Sequence, residues 1–236
     1  MVQAIAVRAR SASRLEPGLL AWLGVIGAAW IAAYWLEVSG AAHLLHHHTI
    51  YHSGQIVAGG LALLSVWQVM TAAMMLPVAL PAVLRISPRT AQLVFIATYA
   101  ATWTGFALVA FAGDMGLHAL VHGWSVAAQH ENLIPAAILG IASVYEVTPW
   151  KKASLAACRR PLEINAFTYS RDCLASGWAL MLIMFSVGVA DLAWMVALTM
   201  AMLAEKTLPS GESLRYVVAG VLGLLAAASV LGAPLL

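Results

Sequence analysis

Seven runs of apolar residues, at roughly 19–38, 56–80, 90–113, 132–148, 173–189, 191–205 and 215–234, dominate this chain and restrict what it can fold into. A helix needs about 20 residues to cross about 30 Å of hydrocarbon. Within that layer every backbone N–H and C=O must find its partner inside the protein, which leaves helices as the economical solution for runs of this kind. With 62% hydrophobic and 9% charged residues, the chain is outside the range of ordinary soluble domains. The expectation is an all-α, polytopic transmembrane helical bundle of about seven spans, forming one integral-membrane domain over residues 1–236. The fifth and sixth runs are short and meet at Gly188–Asp191, as a tight hairpin or as a pair that dips part way. The first run follows Arg8, Arg10 and Arg14, as a secretory signal would, but it is longer than a typical signal core and reads as a retained span.

Charge then orients the bundle. All twelve Lys and Arg lie in the tail 1–18 or in alternate connections, with the largest group in the basic connection 149–172. The connections 39–55 and 114–131 carry none and hold all eight His instead. Basic residues mark the cytoplasmic face, so the N-terminus is expected inside and the C-terminus outside. The net charge of +2 is thereby accounted for by topology. No basic patch interleaved with aromatics is present, which argues against nucleic acid as a partner. The chain has no Gly-rich phosphate loop, no G-x-S-x-G elbow and no Cys-x-x-Cys pair.

The outward histidines form two clusters. The first is His43-Leu-Leu-His46-His47-His48-Thr-Ile-Tyr-His52, in which His43 and His47, and His48 and His52, share a helical face. The second is Asp114-Met115-Gly-Leu-His118-Ala-Leu-Val-His122, a stripe of one carboxylate and two imidazoles one turn apart, with His130 closing the connection. A single interfacial His is usually just solvated. Eight on one face instead point to a transition metal, with His43, His47, His118 and His122 the better ligands, then His46, His48 and His52. Copper is preferred to zinc or iron, since Met115 adds a soft thioether and nitrogen sites bind copper most tightly.

Inside the spans, Met70, Met74, Met75, Met181, Met184, Met195, Met200 and Met202 read as packing in apolar helix contacts before they read as a Cu(I) path. Glu146 and Glu205 sit near the basic end of their spans, where Lys151 and Lys206 are expected to pair with them. Cys158 and Cys173 lie in or beside the basic connection and are expected to be reduced. They lie fifteen positions apart with five formal charges between them, so they are not expected to form a metal pair.

Several motifs together resemble a bacterial family of predicted metal-binding integral membrane proteins, some of them labelled copper chaperones. They are Trp67-x-x-Met70-x-x-Ala73-Met74-Met75-x-Pro77, Pro149-x-Lys151 leading to Cys158-Arg159-x-Pro161, Cys173 with Trp178-x-Leu180-Met181, Trp194-Met195, and Glu205-Lys206. The resemblance covers roughly residues 60–210 and implies the bacterial inner (cytoplasmic) membrane. Relatives carry Cys-x-x-Cys-Cys-Trp where this chain has Cys173-Leu-Ala-Ser176-Gly177-Trp178, so two of three thiols are missing.

The expected function is that of a membrane metal-handling protein, with the residues leaning away from an enzyme without deciding the point. It would bind copper through the outward His and deliver it to, or hold it for, a membrane-protein partner amid membrane lipid. An accessory subunit of a copper-dependent oxidase or monooxygenase is the alternative. A di-iron enzyme fits less well, because His43-x-x-His46-His47 and His118-x-x-x-His122 lack a third box and lie on the wrong face.

Overall fold

Eight helices build this chain in a computed structural model that describes residues 2–40, 56–122, 133–159, 165–187 and 191–232, with side chains from 18–40, 59–116 and the last three stretches. They are α1 (Val2–Val38), α2 (Ile56–Val83), α3 (Arg89–His122), α4 (Leu133–Val147), α5 (Pro149–Arg159), α6 (Ala166–Val187), α7 (Leu192–Thr207) and α8 (Gly211–Val230). No strand occurs among the described residues.

The expected seven spans are not reproduced. Four helices hold segments long and apolar enough to cross a membrane: Gly18–Val38, Gly59–Val83, Arg89–Gly116 and Gly211–Val230. A fifth is added if α4 and α5, bent by 67° to one another, count as one broken span. The fifth and sixth apolar runs become α6 and α7. With 16 residues, α7 is short of a full crossing. The first turns of α6 carry Thr168, Tyr169, Ser170, Arg171 and Asp172, which dilute its hydropathy.

Local chemistry explains the breaks. Pro149 opens α5, where its missing N–H costs nothing, and it disfavours helical geometry at Thr148. Thr148 Oγ1 then accepts from the Lys151 N–H at 3.2 Å as a cap. The Asn165 side chain accepts from the N–H groups of Phe167 and Thr168 at the start of α6, and Asp191 accepts from Trp194 N–H at the start of α7.

Helix α6 is the hub, packing on α3, α4, α5 and α7, while α4 lies along α8 and α1 along α2. One buried cluster runs through the centre. It holds Trp67, Trp103, Phe95, Tyr99 and Tyr169, the methionines 70, 74, 75, 181, 184, 195 and 202, and both cysteines. Trp67 Nε1 donates to the Trp103 carbonyl at 3.1 Å, tying α2 to α3. Met200, by contrast, is 61% exposed on the outer surface of α7. The other seven behave as the packing residues the sequence led us to expect.

Candidate metal centre

The bend at Thr148–Pro149 turns α5 back beside α6, and this places chemistry that the sequence kept apart. The buried face of α5 consists of Lys151, Leu155 and Cys158, spaced by four and three residues. Cys158 lies over the second turn of α6. Its Sγ is 3.8 Å from Ser176 Oγ, and that hydroxyl donates to the carbonyl of Cys173 at 2.9 Å, so Cys158 lies beside the turn that carries Cys173, whose side chain is fully buried. Both thiols are free. The fourteen intervening residues thus do not keep the two cysteines far apart in the fold. Helices α5 and α6 bring them to the two sides of Ser176.

Two further helices close on Cys173. From α3, the Tyr99 hydroxyl lies 3.0 Å from its Sγ. From α7, the ammonium of part-buried Lys206 donates to the same sulfur at 2.9 Å. A third sulfur is nearby. A Cβ built on Gly177, one turn beyond Cys173, would lie 3.6 Å from the Met202 Sδ, and Met202 is one turn before Lys206. Positions 176 and 177 therefore look onto the sulfur atoms of Cys158 and Met202.

Beside this centre lies a buried ionic triad. Lys151 Nζ contacts Glu146 Oε1 at 2.7 Å and Glu205 Oε2 at 2.9 Å, with all three side chains at most 1% exposed. Glu146 therefore pairs as expected. The expected Glu205–Lys206 pair is corrected, since Glu205 turns to Lys151 and Lys206 turns to Cys173. Arg215 donates to the carbonyls of Glu146 and Thr148, and Arg159 donates to those of Glu205 and Leu208, so both guanidiniums serve helix ends.

The histidine candidates have a different standing. His43, His46, His47, His48, His52 and His130 lie outside the described residues. The backbones of Asp114, His118 and His122 are helical, in the last turns of α3, as their spacing requires, while the imidazoles are outside the described side chains. Nineteen residues separate Tyr99 from His118, about 28 Å of helix. The thiol centre therefore lies far along α3 from the backbone of His118 and His122. Among the described residues, no three or more His, Cys, Asp or Glu gather as a metal site.

The described residues thus form an all-helical bundle with membrane-length apolar helices and two buried, free cysteines. The sequence model described as "PpoB2: Copper chaperone" matches residues 64–229, and the chain belongs to that family. Comparison with the curated proteins and with the solved structures gave no match. The matched stretch contains both cysteines, Lys206 and the triad, and leaves out His43 to His52.

Proposed function

We propose that this protein is a membrane copper carrier that holds one Cu(I) between Cys158 and Cys173 and hands it to a partner protein. The observation that carries this reading is that two free, buried cysteines on different helices both lie against Ser176, with Lys206 and Tyr99 on the Cys173 sulfur. Thiolates select Cu(I), which accepts two ligands, whereas a structural zinc site asks for four. A two-coordinate ion leaves room for an incoming donor, so transfer proceeds by ligand exchange and not by dissociation into solvent. Membership of a copper chaperone family supports the cargo. The histidines at the other end form, in this reading, a separate set that captures metal on the outward face.

Titration of Cu(I) under anaerobic conditions against a chromophoric chelator, with purified protein in detergent, tests the thiol site. One equivalent should be retained by the unaltered chain. The double variant Cys158→Ser, Cys173→Ser should lose at least about ten-fold in Cu(I) affinity, since no other pair of thiols exists to take over. Unchanged affinity in that variant would sink the thiol reading.

A further inference from the structure

We propose that Lys206 sets the charge of the ion this site accepts, making the thiol pair selective for monovalent over divalent soft metals. The inference rests on the thiol pair being the metal site and adds to it a reason for the lysine. An ammonium 2.9 Å from the sulfur of a fully buried cysteine is a fixed positive charge in the immediate surroundings of any bound ion. Two thiolates, one ammonium and a monovalent cation sum to zero. With a divalent cation the same set carries one surplus positive charge in a poorly polarisable interior, where an uncompensated charge is strongly disfavoured.

The neighbouring charges do not relieve that surplus: Lys151 with Glu146 and Glu205 sums to one negative charge, Arg159 and Arg215, which donate to carbonyls and a hydroxyl, to two positive, and Arg171 with Asp172 to none. Tyr99 is the other polar group at Cys173, and a neutral hydroxyl leaves the sum unchanged. Copper in its reduced state satisfies the count, as does silver, while zinc, cadmium and oxidised copper do not.

Silver(I) and cadmium(II) make the comparison clean, because both are thiophilic and neither changes oxidation state under these conditions. Their affinities for the detergent-purified full chain would be measured by competition with dithiothreitol, a dithiol without a fixed cation. The unaltered protein should prefer silver to cadmium at least ten-fold more strongly than dithiothreitol does. An equal or smaller preference overturns the proposal without any variant. Lys206→Met and Lys206→Gln should each reduce the silver-to-cadmium ratio at least ten-fold, with cadmium gaining, and Lys206→Arg should keep it. An unchanged ratio in the neutral variants, or a loss as large in Lys206→Arg, also overturns it. Silver affinity that survives Cys158→Ser, Cys173→Ser removes the thiol site itself and this inference with it. An unchanged ratio with the thiols still required removes the lysine's role alone.

Discussion

The buried triad shows how much depends on single atoms inside an apolar bundle. Lys151 stands between two carboxylates, and Glu146 Oε2 and Glu205 Oε1 have no other partner among the described residues. Removing one member of a buried ionic set strands the rest, at a cost of about 3–5 kcal/mol. Lys151→Met should lose about that much stability, followed by unfolding in detergent. The triple variant Glu146→Gln, Lys151→Met, Glu205→Gln should recover most of it, because no charge is then left without a counterpart. A loss below about 1 kcal/mol for Lys151→Met would show that water reaches the carboxylates and that the triad is not sealed. Half of this arrangement was legible in the sequence. Glu146 and Lys151 lie across one turn and the cap between α4 and α5, so their meeting could be anticipated. Glu205 and Lys206 were misread as a pair because neighbours in sequence point to different faces of a helix, and on α7 those faces meet α5 and α6 respectively.

At the level of helices, the turn from α7 into α8 is where backbone packing leaves least room. Arg159 reaches from the end of α5 to the carbonyls of Glu205 and Leu208, closing the frayed end of α7 with a cation as helix C-termini favour. Gly211 sits directly against this bracket, and a Cβ there would overlap both the Glu205 carbonyl and the Arg159 guanidinium. Gly211→Ala should therefore cost about 1–3 kcal/mol by overpacking. The loss should shrink in an Arg159→Ala background, where the guanidinium no longer occupies the space. Equal losses in the two backgrounds, read from thermal unfolding, would separate Gly211 from the bracket. The break before Pro149 could be read from the chain, since proline at a first helical position is a local rule. The approach of Cys158 to Ser176, beside Cys173, could not. It depends on α5 folding back along α6 after that bend, a tertiary outcome to which spacing between cysteines gives no clue. Helix α6 misled for a related reason: its Tyr169 and Ser170 are buried against protein, so polarity there reflects contacts within the bundle and lowers the hydropathy on which span counting relies.

For the molecule as a whole, polarity along the bundle axis organises the proposed function. Lys151, Arg159, Lys206 and Arg215 gather with the thiols and the triad at one end, while α3 carries His118 and His122 to the other. We propose, from the segregation of basic residues, that the thiol end faces the cytoplasm and the histidine end the outside. Imidazoles suit borderline divalent ions and thiolates suit Cu(I), so the two ends should differ in the metal they hold. The double variant His118→Ala, His122→Ala should accordingly lose about half or more of the divalent copper or zinc bound at neutral pH, since a site of about four ligands seldom survives the loss of two. It should leave Cu(I) binding by Cys158 and Cys173 intact. In the unaltered protein the divalent fraction should also fall away below about pH 6, because protonated imidazole cannot ligate and an unperturbed histidine titrates near about 6.5. Metal analysis at two pH values, on both proteins, is the measurement. Divalent metal content that ignores both the substitution and the acid would remove His118 and His122 from the scheme and leave the thiol end as the only proposed place for copper in this chain.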